Sequence, residues 1–250
     1  MNILFSFDKL ILPINYNHII QAFILQLIND AEYRKFIHNR GYLYKKRSYK
    51  MFSFSRLNGE FKINPHDKTI EFFENVNLIV SSLDENIIRY VADSLLFKNE
   101  FELINQKIYV EKIEYKDEEI HNNHLQIKTL SPITVYSTIQ KDSSKKTIYY
   151  SPSEKEFSKL IIENLKSKYL AFYKIDEEEV SFNENFVIKE KNGSKSKLVI
   201  TYYKNFIIKG WHGLFEIKGD PRLLKIGYDA GFGAKNSQGF GLVDMVWFFI

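Results

Sequence analysis

Strand-like and helix-like hydrophobic patterns follow one another in the same order in the two halves of the chain. In the first half, an apolar run over residues 2–7 predicts a short strand. Apolar residues spaced three and four apart after Pro13 then predict a helix to about Asp30. Turn signals at Asn58-Gly59 and at 65–67 separate three further predicted strands, which cover 51–56, 60–63 and 69–73.

The first half ends with a second helix and a strand. Ser82-Leu83-Asp84-Glu85 matches a capping box, which predicts that a helix begins there. Alternating residues over 107–115 predict the closing strand.

The second half repeats this order. Strands are predicted over 125–130 and 133–138, and a second capping box at Ser151–Glu154 predicts a helix to about Leu170. Asp220-Pro221 predicts the start of a last helix that ends near Tyr228. The remaining predicted strands cover 185–189, 198–203, 206–218 and an apolar run at 242–249.

Each half therefore roughly follows the order β-α-β-β-α-β, which is that of the ferredoxin-like unit. The sequence predicts an α+β protein of two tandem ferredoxin-like (βαββαβ) domains, residues 1–120 and 121–250. Many RNA-binding modules use such a unit and read RNA on an open sheet face. The fold alone does not define the function.

Composition narrows the possible functions. The 250 residues contain no cysteine, which excludes disulfides, thiolate metal sites and a cysteine nucleophile and fits a reducing cytoplasm. No apolar run is long enough to span a bilayer, and the amino terminus has no basic leader. We therefore expect a cytoplasmic protein.

Residues 231–241 form two glycine–hydrophobic–glycine triplets with five residues between them, and they hold four of the 11 glycines. Glycine allows a backbone to approach a phosphate closely, so this glycine-rich loop suits a polyanion; a tight turn before the last strand is the alternative. Its predicted RNA-binding residues are Gly231, Gly233, Lys235, Asn236, Ser237, Gly239 and Gly241. No nucleotide-binding fingerprint is present.

A second candidate for RNA binding is the basic, tyrosine-rich segment over residues 33–50. It contains seven Lys or Arg residues and four tyrosines. Cations interleaved with aromatic rings can hold phosphates and stack on bases, although a solvated basic loop would look the same. The predicted contacts are Arg40, Lys45, Lys46 and Arg47.

His38 is the candidate acid–base group. It follows a helical segment, and Gly41 turns the chain from it into the basic segment. Imidazole titrates near neutral pH, so it can serve as base or acid. The acidic runs do not form a convincing paired metal site, and no metal or cofactor is expected.

These motifs together resemble the CRISPR-associated repeat-processing endoribonucleases of the repeat-associated mysterious protein superfamily. The resemblance extends over the whole chain and rests on the glycine-rich loop, the histidine after the first helix and the tandem halves. It includes matching stretches at 12–18, 21–24, 50–55, 130–135 and 226–228.

The resemblance implies metal-independent cleavage of the repeat in a CRISPR precursor transcript. The 2′-hydroxyl would attack the adjoining phosphate and leave a 2′,3′-cyclic phosphate (or 3′-phosphate) and a 5′-hydroxyl. The family's histidine corresponds to His38, and its basic partner, which can stabilise the phosphorane, corresponds to Lys50.

Some family members supply a tyrosine from the first helix, but the matching region here offers Leu25. Tyr42 or Tyr44 could substitute, or His38 could act with Lys50 alone. The expected partners are repeat RNA, an effector complex and a second copy of the chain. A non-catalytic repeat-binding subunit and a general single-stranded RNA binder are the alternative functions.

Overall fold

The computed structural model of the protein describes residues 1–141, 144–183, 185–204 and 206–246. Helices pack on antiparallel sheets in both halves, so the architecture belongs to the predicted α+β class. No helix in the described part of the chain is both long and apolar enough to cross a membrane.

The first half has two sheets, a hairpin, three α-helices and a π-helical segment. Its elements are β1 (Asn2–Phe7), β2 (Leu10–Pro13), α1 (Asn17–Leu27), α2 (Ala31–Lys35), a π-helical segment (Phe36–Arg40), β3 (Tyr42–Tyr44), β4 (Arg47–Tyr49), β5 (Phe52–Phe54), β6 (Phe61–Asn64), β7 (Thr69–Phe72), β8 (Val76–Ser82), α3 (Glu85–Phe97), β9 (Glu100–Leu103) and β10 (Gln106–Lys116).

In its described residues, the second half has one larger sheet and two hairpins. Its elements are β11 (His124–Thr129), β12 (Tyr136–Lys141), β13 (Ser144–Tyr149), α4 (Lys155–Tyr173), a 3₁₀ turn (Glu177–Glu179), β14 (Val187–Glu190), β15 (Lys197–Tyr203), β16 (Phe206–His212), β17 (Leu214–Lys218), α5 (Pro221–Ala230), a second 3₁₀ turn (Asn236–Gln238) and β18 (Val243–Met245).

The two main sheets share one strand order. The order is β5-β8-β1-β10-β9 in the first half and β14-β17-β11-β18 in the second, with antiparallel neighbours throughout. In the first half, the opening strand β1 lies between β8, which precedes α3, and β10, which follows α3. In the second half, β11 lies in the same way between β17, which precedes α5, and β18, which follows α5. The chain therefore follows the same path through both sheets.

Each half has its own apolar core. In the first, Ile3, Phe5 and Phe7 alternate along β1 toward the helices and are fully buried. In the second, Phe157 and Leu165 of α4 lie in a separate buried cluster with the central strands. Two independent cores support the division of the chain into halves.

The halves meet along α5 and the glycine-rich loop. The Ser81 hydroxyl at the end of β8 donates to the carbonyl oxygen of Asp229 at 2.8 Å. The Asn17 amide at the start of α1 donates to the carbonyl oxygen of Gln238 at 2.8 Å. The loop is thereby held against the first half.

The sequence pattern did not predict the strand β8. Its residues are mostly buried and lack a clear polar alternation, so the pattern did not mark them as a strand. The capping box placed there is also wrong. Asp84, not Ser82, is the N-cap of α3, and its side chain accepts from the Asn86 N–H at 3.1 Å.

Other boundaries differ for local reasons. The first helix ends at Leu27, because Asp30 caps a separate helix by accepting from the Tyr33 N–H at 2.9 Å. The predicted strand over 206–218 divides at Gly213 into β16 and β17, which pair with different strands. The prediction for Asp220-Pro221 is confirmed. Of the predicted last strand, β18 is present, and residues 247–249 lie outside the described residues.

Candidate functional site

His38 lies on a π-helical turn. The N–H of Gly41 donates to the carbonyl oxygen of Phe36 at 2.7 Å, which closes a turn five residues long. Ile37 anchors this turn in the first core, whereas His38 is exposed. Single π-helical turns occur often at functional sites, where they re-aim a side chain.

The neighbouring amide sets the protonation pattern of His38. The Oδ1 of Asn39 lies 2.7 Å from the Nδ1 of the ring. Because an amide oxygen only accepts, the ring nitrogen facing it carries the proton. In the neutral imidazole, Nε2 then has the free lone pair and can accept a proton from a substrate hydroxyl.

Lys50 reaches back to the same turn. Its Nζ donates to the carbonyl oxygen of His38 at 2.9 Å. Burial lowers the pKa of the half-buried Lys50 from its ordinary value. The structure thus places the Lys50 ammonium on the main chain of His38, the residue with which the family resemblance pairs it.

Leu25 lies near His38. It lines a hollow of about 350 Å³ together with Gln26 of α1 and His38. The position is close to the histidine, but its side chain is apolar and has no proton to transfer. The departure from the family pattern is therefore present at the site itself.

The candidate tyrosines are engaged elsewhere. The hydroxyl of Tyr42 donates to Asp84, and burial, followed by the hydrogen bond to that carboxylate, raises the pKa of Tyr42. The hydroxyl of Tyr44 donates to Glu177 at 2.8 Å. Both phenols are held by carboxylates.

A cleft of about 680 Å³ opens between the halves, and we call it the interhalf cleft. Residues 47–52 line one side, and 135–138, 233–238 and part of α4 line the other. Its cations are Arg47, Lys50, Lys168 and Lys235, and none of its described lining residues is Asp or Glu. A concave site with one sign of charge concentrates polyanions.

Lys235 extends into this cleft without an acidic neighbour on its walls. Its Nζ lies 5.3 Å from the ring centroid of Tyr136, and burial lowers the pKa of Lys235. Ser237 and Gln238 line the same wall. These side chains can contact a phosphate or a base.

The main chain of the glycine-rich loop is used internally. The N–H groups of Phe232, Ala234 and Gly241 donate to the carbonyl oxygens of Gly241, Thr134 and Pro132. At Gly241 (φ +80°), a Cβ would lie 2.0 Å from the carbonyl oxygen of Phe232, so only glycine fits. The glycines therefore shape the loop, and at least six of its 11 main-chain N–H groups donate to carbonyl oxygens within the protein.

Asn236 is also committed to the loop. Its amide Nδ2 donates to the carbonyl oxygens of Phe232 and Phe240 at 3.1 and 3.0 Å. Its Oδ1 accepts from the Nζ of Lys168 at 2.8 Å. Of the polar side chains predicted in the loop, Lys235 and Ser237 line the cleft without these internal bonds.

Sequence reasoning missed Lys168. Only 2% of this residue is exposed, and its Nζ also donates to the carbonyl oxygens of Ala230 and Gly231. Burial lowers the pKa of Lys168 to about 7. The available signal was its position on the apolar face of α4, seven residues after Ile161 and three after Leu165.

The basic segment is exposed at Arg40, Lys45, Lys46 and Arg47. Lys45 forms an ion pair with Glu177 at 2.9 Å and lies over the ring of Tyr44. Arg47 is the residue of this group that also lines the interhalf cleft. The positive surface thus continues from the β3–β4 hairpin into the cleft.

Family models match almost the whole chain. The model for CRISPR-associated protein Cas6, C-terminal, matches residues 113–245, and the one for Cas6, N-terminal, matches 11–114.

Similar proteins agree with these matches. CRISPR-associated endoribonuclease Cas6 1 of Methanocaldococcus jannaschii is 28% identical over 235 residues, which cover 93% of this chain and 87% of the relative. CRISPR-associated endoribonuclease Cas6 of Pyrococcus furiosus is 28% identical over 92% of this chain and 82% of the relative. A solved structure described as an RAMP protein binding different RNA substrates is 26% identical, with a TM-score of 0.78 over 99% of this chain and 100% of that one. Because the C-terminal model alone spans more than half of the sequence, the chain belongs to the Cas6 family of CRISPR repeat-processing proteins.

Proposed function

We propose that this protein cuts CRISPR precursor transcripts within the repeat and releases guide RNAs. The observation that carries the proposal is the position of Lys50. Its Nζ lies 2.9 Å from the carbonyl oxygen of His38, and the same side chain lines the carboxylate-free interhalf cleft. A strand held in the cleft would present its backbone next to the ammonium group of Lys50, which contacts the main chain of the turn that carries His38.

The proposed reaction is an attack of the ribose on its own phosphodiester. His38 Nε2 accepts the proton of the 2′-hydroxyl, the O2′–P bond forms and the P–O5′ bond breaks. Lys50 turns from the His38 carbonyl toward the phosphate, stabilises the added charge and gives a proton to the leaving 5′-oxygen. Burial lowers the pKa of Lys50, which makes that proton easier to release.

The products would be a 2′,3′-cyclic phosphate, which water can open to a 3′-phosphate, and a 5′-hydroxyl. The nucleophile is part of the substrate, so the reaction needs no metal-activated water. Tyr42 has no proton-transfer role in this scheme, because its hydroxyl is held by Asp84.

RNA binding in this proposal uses side chains more than the glycine backbone. Arg40, Lys46 and Arg47 hold phosphates on the hairpin side, and Lys235 and Ser237 hold them on the loop side. The glycines keep the loop wall in shape. We further infer that the halves, 1–120 and 121–250, are ferredoxin-like domains, which their common strand order supports.

One observation favours the second candidate function, a repeat-binding subunit without catalysis. Leu25 occupies the place beside His38 where some family members have a tyrosine. A subunit that only binds RNA would need the cleft but not the imidazole.

The test uses labelled repeat RNA with and without a 2′-deoxy residue at the cut position. Cleavage of the all-ribose strand in excess EDTA, with loss of cleavage in the deoxy strand, is the expected result. Loss of all cleavage in EDTA, restored by Mg²⁺, would point to a metal-dependent nuclease. Binding of both strands without cleavage under any condition would favour the non-catalytic subunit.

A further inference from the structure

A buried carboxylate connects the two ends of the segment that carries His38. Asp84 is 2% exposed and lies at the N-terminus of α3. Its Oδ1 accepts from the backbone N–H and the side-chain Nδ2 of Asn86 at 3.1 and 3.2 Å. This oxygen alone fulfils the capping role of the residue.

The second oxygen has a different set of partners. Oδ2 accepts hydrogen bonds from the hydroxyls of both Tyr33 and Tyr42. Tyr33 lies in α2, five residues before His38, and Tyr42 opens β3, four residues after it. One oxygen atom therefore fixes the chain on both sides of the π-helical turn.

Aromatic packing completes this connection. The ring of Phe36 lies between the two tyrosines, with centroids 6.1 Å from Tyr33 and 5.3 Å from Tyr42. Tyr42 also packs on Phe172 of α4, at 5.2 Å. The turn is thus fixed both to α3 and to the second half.

Helix capping does not explain this arrangement. Serine or asparagine would cap α3 without a buried negative charge. Among the described residues, no Lys, Arg or His forms an ion pair with Asp84, so hydroxyl and amide donors alone compensate its charge. Hydrogen bonds to an ionised acceptor are about twice as strong as neutral ones.

We propose that Asp84 is a positioning residue that holds the His38 turn in its reactive geometry through Tyr33 and Tyr42. This inference rests on the proposed function for its effect on cleavage. The hydrogen bonds themselves can be tested without RNA. The proposal predicts that the two tyrosines act as a unit, whereas a catalytic Tyr42 would act without Tyr33.

The experiment compares Tyr33→Phe, Tyr42→Phe, the double variant and Asp84→Ser, which keeps a capping hydroxyl. Tyr90→Phe is the matched control, because its hydroxyl donates to Asp30 although its ring packs on Tyr33 at 5.4 Å. Three readouts are taken: the single-turnover cleavage rate at saturating protein, the Kd for a 2′-deoxy repeat, and amide hydrogen exchange of residues 36–44 without RNA.

Each single tyrosine variant should lose about 10-fold in cleavage rate, and the double variant and Asp84→Ser about 10- to 30-fold, which is less than the product of the single losses. The Kd should stay within about 3-fold, as expected for residues that do not touch RNA. Exchange over 36–44 should accelerate in these variants, and the His38 ring resonances should move. Tyr90→Phe should change none of these readouts.

Two results would overturn the proposal. One is a loss of cleavage in Tyr42→Phe but not in Tyr33→Phe, which would make Tyr42 catalytic. The other is unchanged exchange and unchanged His38 resonances in the double variant. If wild-type protein bound repeat RNA without cutting it, the proposed function would fail, and the exchange and resonance data would still decide whether Asp84 holds the His38 turn.

Discussion

Replacing Gly41 by alanine should uncouple the His38 turn from Lys50. Gly41 has φ +64° and ψ −159°, a region that only glycine occupies readily. A Cβ there would lie 2.4 Å from the carbonyl oxygen of Tyr49 and 3.1 Å from Cδ of Lys50. The side chain would therefore push on the end of β4 and on Lys50, which follows it.

Gly41→Ala should destabilise the folded protein in two ways. The backbone conformation contributes about 1–3 kcal/mol, and the forced contact contributes about 1–3 kcal/mol more. Gly41→Ala should then lower the free energy of unfolding by about 2–6 kcal/mol, a large part of the stability of a typical domain.

Gly193→Ala is the matched control. Gly193 also has positive φ (+79°), but a Cβ there would meet nothing within 4 Å. It should lose only about 1–2 kcal/mol, because the backbone term alone applies. Urea denaturation followed by circular dichroism measures both values.

Cleavage supplies the second readout. At a temperature where both variants are folded, Gly41→Ala should cut repeat RNA at least about 10-fold more slowly than wild type, because a small displacement of reacting groups is costly. Gly193→Ala should cut at the wild-type rate. Equal stability of the two variants, with full activity in Gly41→Ala, would show that the conformation of Gly41 does not position Lys50.

Three further predictions concern the lysines. The folded-state pKa of Lys168 is lowered to about 7 from 10.5, so above pH 7 the native protein releases a proton that the unfolded chain keeps. The free energy of unfolding, measured by urea denaturation, should therefore rise by about 2 kcal/mol from pH 7 to 9. Lys168→Met should flatten this rise. The same pH dependence in Lys168→Met and wild type would contradict the prediction. Lys50→Met should slow cleavage by about 10²–10³-fold with little change in RNA affinity, and Lys50→Arg should stay slow because arginine keeps its proton; full activity of either variant would remove the lysine from the reaction. In a plot of the logarithm of the RNA-binding constant against the logarithm of the salt concentration, Lys235→Ala should reduce the magnitude of the slope by about 0.7. The control Lys62→Ala, at an exposed residue, should leave the slope unchanged. A wild-type slope in Lys235→Ala would exclude Lys235 from the RNA path.

Much of the framework could be predicted from periodicity and turn chemistry. The α+β class, the start of α5 at Asp220-Pro221 and the approach of Lys50 to the His38 turn depend on local signals or on a family pattern. These features survive because tertiary packing reinforces what the local sequence already favours.

The remainder depends on contacts between distant residues. β8 is mostly buried and lacks the alternation that identifies a half-buried strand. The glycine-rich loop looks suited to phosphates, but Thr134 and Pro132, about 100 residues away, accept its N–H groups. Similarly, nothing local shows that Asp84 would join Tyr33 and Tyr42.

The central claim is that the imidazole of His38 takes part in the chemistry and not in RNA binding. The most direct measurement is single-turnover cleavage of repeat RNA by His38→Ala, with binding measured on a 2′-deoxy repeat. His66→Ala is the control, because His66 is an exposed histidine beside a carboxylate in a surface turn. His38→Ala should lose at least about 10²-fold in cleavage rate, the usual contribution of an acid–base group, while its Kd and the activity of His66→Ala should stay at wild-type values. Cleavage by His38→Ala at the rate of His66→Ala would contradict this claim.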